Sequence, residues 1–112
     1  MSTRLAAGVL VSAMIRRVEA TGGNGMVLAR GDAVAGAILL AIADRGVTLK
    51  LMERAMTSDG GYTLAATGPA ALDEPGALSD YIAKRRRGDP DLWVVELDSP
   101  EAEEIAGALI GG

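Results

Sequence analysis

Residues 37–66 read AILLAIADRGVTLKLMERAMTSDGGYTLAA. They divide into three apolar runs of strand length, at 37–43, 47–54 and 62–66, separated by two turn signals. Asp44-Arg45-Gly46 and Ser58-Asp59-Gly60-Gly61 each supply a glycine able to take positive φ, which tight hairpin connections demand. Val47, Leu49 and Leu51 alternate with Thr48, Lys50 and Met52, which predicts a strand with one wet face. The run 37–43 lacks alternation and predicts a central strand. A further apolar run at 26–30 precedes them. Four strand-length runs with turn chemistry between them predict an antiparallel meander, not alternating βα units.

Helical patterns flank this block. Ala7, Leu10, Val11, Met14 and Val18 share one face and Ser12, Arg16 and Glu19 the other, predicting a first helix that ends at Thr21-Gly22-Gly23. An opening strand at 9–11, with Ser12 capping a shorter helix, is the less favoured alternative. Pro75 suits a first helical turn, Asp80 the positive end of the dipole, and Leu78, Tyr81, Ile82 and Arg85 share a face before Gly88. A fifth strand follows at 92–97. Ser99 and Pro100 then introduce a third helix with Ala102, Ile105, Ala106, Leu109 and Ile110 on its apolar face and three glutamates in its first turns. The expected architecture is a single α+β domain over residues 1–112, an antiparallel meander of four to five strands with three helices, in the order α-β-β-β-β-α-β-α.

Composition narrows the chemistry. The 112 residues include no His, no Cys and no Phe, with a net charge of −4. Ser-His-Asp and Cys-His nucleophilic catalysis, the common zinc sites and thiol redox work therefore lack their usual side chains. No cofactor is expected. The apolar run 5–15 follows Arg4 but is ended by Arg16-Arg17, is too short to span a bilayer and lacks a clean cleavage site. The expected setting is the cytoplasm, with no membrane partner.

Charge is uneven: residues 1–56 hold seven Lys/Arg against four Asp/Glu, and residues 57–112 four against eleven. Lys84-Arg85-Arg86-Arg87 is the densest run, and guanidinium groups grip phosphates in bidentate fashion. The plainer reading sets these cations against the helix dipole, with Asp89 and Asp91 near enough to pair with them. Arg16, Arg17 and Arg30 are further candidates for one basic contact face, although Arg17 borders the apolar stripe and reads as a partly buried, paired arginine. Asp89-Pro90-Asp91, with Asp32, offers carboxylates for a metal, yet Asp-Pro-Asp before a strand is ordinary turn chemistry. Gly22-Gly23-Asn24-Gly25 leaves a helix instead of opening one, so it reads as a C-cap and not a phosphate loop. Trp93 opens an apolar strand and reads as core, with ligand or partner stacking as the alternative. Glu96 shares a face with Leu92 and Val94, which puts it either at a strand end or against an arginine.

Arg16-Arg17, Arg30-Gly31-Asp32 with Ala35-Gly36-Ala37, and Asp89-Pro90-Asp91-Leu92-Trp93 with Glu96 carry a resemblance. From Leu5 to Leu97 the chain resembles a family of small alphaproteobacterial proteins known as domain of unknown function 1491. The resemblance implies a bacterial cytosolic protein of one compact domain, and implies no catalytic residue or cofactor. The leading expectation is a noncatalytic module that contacts a protein partner, or a second copy of itself, through an arginine-lined face comprising Arg16, Arg17, Arg30, Asp32, Arg85, Arg86, Asp89, Asp91 and Trp93. A phosphate-ligand or RNA-binding protein using Arg16, Arg17, Arg30 and Arg85 to Arg87 is the alternative, disfavoured by the acidic balance. A metal-assisted hydrolase centred on Asp32, Asp89 and Asp91 is a distant third.

Overall fold

The computed structural model describes residues 5–69 and 71–111; Arg4 lies outside them. The elements run α1 (Ala7–Ala20), β1 (Asn24–Ala29), β2 (Ile38–Asp44), β3 (Val47–Met56), β4 (Tyr62–Thr67), α2 (Ala77–Gly88), β5 (Trp93–Asp98) and α3 (Ala102–Gly111). The element order matches the sequence reading, including the longer form of the first helix. The sheet does not match it. Its strand order is β1-β5-β2-β3-β4, with β5 parallel to β2 and antiparallel to β1, so it is mixed and only β2-β3-β4 forms a meander. Burial accounts for the insertion of β5. Trp93, Val94, Val95 and Leu97 are buried, as are the six residues from Ile38 to Ala43, and strands that are apolar on both faces take the centre of a sheet. The segment 26–29, with three exposed apolar side chains, is displaced to an edge.

Helices cover both faces. Ile38, Leu40, Ile42, Val95 and Leu97 point towards α1 and α3 and meet Met14, Val18, Ala102 and Ala106. Leu39, Ala41, Leu51, Leu92 and Val94 form a smaller core, against which Leu78, Tyr81 and Ile82 of α2 pack half-buried. α1 stops where Gly22 takes φ 90°: its N–H donates to Glu19 and that of Gly23 to Val18, a paired closure that needs a left-handed residue at Gly22. The glycine-rich segment is thus the expected C-cap. The hydroxyl of Ser99 accepts the Glu101 N–H ahead of α3.

Two local expectations need correction. α2 begins at Ala77, behind a left-handed Gly76, so Pro75 precedes the first turn instead of occupying it. The start of β3 is wet on both faces: Val47 and Leu49 are exposed along with Lys50, and burial begins only at Leu51. The register with β2 slips between Ile42 and Ala43, and β4 pairs no residue before Leu51, so this end of β3 runs past β4.

The β2-β3 hairpin turns through Arg45 at φ 53° and Gly46 at φ 82°. Positive φ at both positions identifies a mirror-image turn suited to strand twist. The Asp98 carboxylate accepts both turn N–H groups, at 2.9 and 2.8 Å, and ties the hairpin to β5. Arginine is a poor left-handed residue, whereas asparagine is a favoured one. Arg45→Asn is expected to raise stability by about 1 kcal/mol; an unchanged or lower urea midpoint contradicts this turn.

Candidate functional site

A strand inserted between β1 and β2 forces the link between them, residues 30–37, to pass across the start of β5. There the two segments singled out in the sequence meet. The Asp32 N–H donates to the Asp91 carbonyl at 3.0 Å, the Trp93 N–H to Ala37 at 2.8 Å, and the Trp93 indole Nε1 to the Asp32 carbonyl at 2.7 Å. Close approach requires glycine. A Cβ on Gly31 or Gly36 would come within 2.6 or 2.9 Å of Trp93 Cδ1 and also strike the Asp91 carbonyl. The Asp32 carboxylate accepts the N–H groups of Val34 (3.1 Å) and Ala35 (2.8 Å), and these bonds hold its pKa below the usual carboxylate value. The opening of α1 is fastened to the same loop, because Ala7 and Gly8 donate to Val34 and Ala33.

The arginine run splits by role. Arg86 donates to the carbonyls of Arg30 (3.0 Å), Leu92 (2.7 Å) and Pro90 (3.3 Å), bracing both segments from below. Arg85 forms a two-pronged pair with Glu53, at 3.1 and 2.9 Å, and also donates to the Tyr81 hydroxyl. That hydroxyl shares a hydrogen bond with Thr67, closing a network from α2 to β3 and β4. Arg85 is held charged chiefly by its hydrogen bonds to Glu53. Partial burial pushes the Glu53 carboxyl up, but Arg85 and Thr67 outweigh it and the net shift is downward.

Asp89 and Asp91 do not pair with the arginine run; the Asp89 carboxylate accepts the Asp91 N–H and shapes its own turn. Among the described residues no group of three acidic side chains is placed to hold a metal ion. Arg17 corrects the expectation of a partly buried, paired arginine: both it and Arg16 are exposed, with no ion pair to a described residue. Arg17 leaves the edge of the apolar stripe towards solvent. Glu96 is half-buried, opposite Met26, and neither arginine of the two networks reaches it.

Arg30, unlike Arg85 and Arg86, stays available. Its guanidinium lies 5.4 Å above the Trp93 ring, and no carboxylate among the described residues pairs with it. It stands at one end of an open groove of about 420 Å³ between α1 and β1, lined by Val9, Ser12, Ile15, Val27, Val34 and Trp93. Val9, Ser12 and Arg16 share one helix face, so Arg16 sits on the same side of α1. The groove escaped the sequence reading because Val9 stands in a helix whose large apolar residues are mostly core, and Val34 stands alone among small residues of a link. The unbroken apolar stretch 26–28 was its one visible signal.

Trp93 is buried in the main core, as the plainer reading expected, and also lines the groove. Fold and clamp together define a small α+β domain in which segments 30–37 and 89–93 close on one tryptophan. The chain belongs to the DUF1491 family: the family model described as "Protein of unknown function (DUF1491)" matches residues 5–107 and takes in much of α3. It is similar to the crystal structure of a DUF1491 family protein from Caulobacter crescentus CB15, with 34% identity over 90% of this chain and 94% of that one and a TM-score of 0.76. An NMR structure of a DUF1491 family protein from the same organism gives 31% identity, coverage of 93% and 94%, and a TM-score of 0.73. The solution structure of protein Atu0922 from A. tumefaciens gives 29%, 98% of both chains and 0.72. None of the curated proteins matches the chain.

Two outcomes follow from the clamp and its network. Gly31→Ala is expected to lower the unfolding free energy by roughly 1–3 kcal/mol through overpacking, whereas Arg17→Ala stays within about 0.5 kcal/mol. Equal midpoints for the two variants in chemical denaturation contradict the clamp. Glu53 has a folded-state pKa below its ordinary 4.5, so its pair with Arg85 contributes stability above that pH and loses it as pH falls through the folded value. Glu53→Gln should therefore be less stable than wild type at pH 7, with the gap closing as pH falls through the lowered folded-state value of Glu53. A gap independent of pH contradicts the assignment.

Proposed function

We propose that this chain is a noncatalytic interaction module whose contact surface is the groove between α1 and β1, with Arg30 at its end and Arg16 on its rim. The observation that carries the reading is Arg30 itself. It is a guanidinium parked on Trp93, beside exposed Val9, Val27 and Val34, while Arg85 and Arg86 are spent on the fold. A free cation at the end of an apolar groove suits a protein partner that brings apolar side chains and a carboxylate. The lack of His and Cys throughout the sequence supports a binding role over nucleophilic or redox chemistry. No described helix is long and apolar enough to cross a membrane, and the reading places the protein in the cytoplasm.

The phosphate-ligand or RNA-binding alternative loses Arg85 and Arg86 to internal partners and rests on Arg16, Arg17, Arg30 and Arg87. It requires salt-steep binding, and no RNA retention in low-salt filter binding removes it.

A photoreactive side chain introduced at Val34, in the full chain and in living cells, is expected to give a crosslinked product of defined mass. The same group at exposed Met56, far from the groove, should give none. Failure at Val34 and at Val9 alike, or equal products at Met56, overturns the reading.

A further inference from the structure

The deeper question is what occupies the groove, and the answer rests on the interaction reading above. β1 and β4 are the two edges of the sheet. Edges are normally guarded by charge, proline or distortion. Neither edge strand carries a charged residue, but the exposed positions of β4 are the small Thr63 and Ala66, whereas β1 exposes Met26 (59%), Val27 (41%) and Leu28 (41%). The one distortion of β1 is the slip between Val27 and Ala29, at its far end, which leaves residues 24–27 in regular register with β5.

We propose that the occupant is a second copy of this chain, its β1 running antiparallel to the first about a two-fold axis at Met26. The surface is self-complementary in three respects. Gly25 lies beneath Ile15, so a facing Val27 from the second copy lands against Ile15 in the groove. α1 rides over β1 and β5, so joining the edges at the usual strand spacing of about 4.8 Å sets the two α1 helices roughly 10 Å apart, a normal helix-packing distance that buries Val9 from both copies. Charge supplies the third. Arg30, just past the end of β1, is brought towards the last turn of α1 in the second copy, where Glu19 is exposed and the helix dipole is negative. Arg30 lines the groove and Glu19 stands on α1 one turn beyond Ile15, and neither has an ion-pair partner among the described residues. The two-fold brings each to the other twice.

Sedimentation equilibrium of the full chain should report twice 11.4 kDa at micromolar concentration. Arg30→Glu and Glu19→Arg should each weaken the dimer by roughly tenfold, since each reversal places like charges together at both ends of the interface. The double variant should recover wild-type affinity, a rescue that lost folding cannot imitate. Met26→Cys, in a chain otherwise free of cysteine, should crosslink rapidly under mild oxidation, because residues opposed across antiparallel strands lie about 4.5–5.5 Å apart. Met56→Cys is the exposed control and should not. A single-chain mass at all concentrations, or a dimer indifferent to both charge reversals, overturns the proposal. If the product crosslinked from Val34 has a mass other than twice that of the chain, the groove serves a different protein: the second copy is then excluded and the interaction reading survives. No product and no dimer excludes both.

Discussion

The hydrogen bond from the Trp93 indole to the Asp32 carbonyl, with the glycine contacts around it, is the constraint on which the rest of the structure depends. β5 is the seventh element of the chain but occupies the second place in the sheet. Whatever joins β1 to β2 must therefore climb over its first residue, which carries the largest side chain in the protein. Gly31 and Gly36 let the backbone lie flat on that ring, and Arg86 ties the layers together through three carbonyls. Each partner satisfies groups that the crossing would otherwise leave buried and unpaired.

This arrangement explains why the two central arginines of the basic run, Arg85 and Arg86, add little free basic surface. Arginine suits such interior duties because its rigid fork of donors can serve several carbonyls or one carboxylate at once. Arg86 does the first and Arg85 the second. Arg30, whose guanidinium neither network uses, is carried to the groove by the same loop that the clamp holds in place. Structure and proposed binding are thus linked through one residue run: the clamp that fixes residues 30–37 also sets the end of the groove and keeps β1 at the edge.

Local patterns in the chain were legible. The helical stripes of α1 and α3, the Asp44-Arg45-Gly46 turn and the doubly buried β2 each follow from spacing and composition. The insertion of β5 was not, since strand neighbours 55 or more residues apart leave no mark in local periodicity, and a run such as 92–97 fits any central place. The Arg-Gly-Asp and Asp-Pro-Asp-Leu-Trp segments stood out, but nothing in either reveals that they touch. Arg85 was expected beside Asp89 and Asp91 because those were its neighbours in sequence. The carboxylate it meets, Glu53, lies across the sheet and was indistinguishable from any other strand glutamate. Polar partners are chosen by geometry after packing, and sequence proximity is a poor guide to them.

The central claim is that the β1 edge is a working surface and the β4 edge is not. Amide hydrogen exchange of the full chain at dilute and concentrated protein tests it directly. The account predicts that protection of the amides from Met26 to Leu28 rises with concentration, while those of Thr63 to Ala66 keep a constant rate. Exchange at β1 that matches β4 and ignores concentration would contradict it.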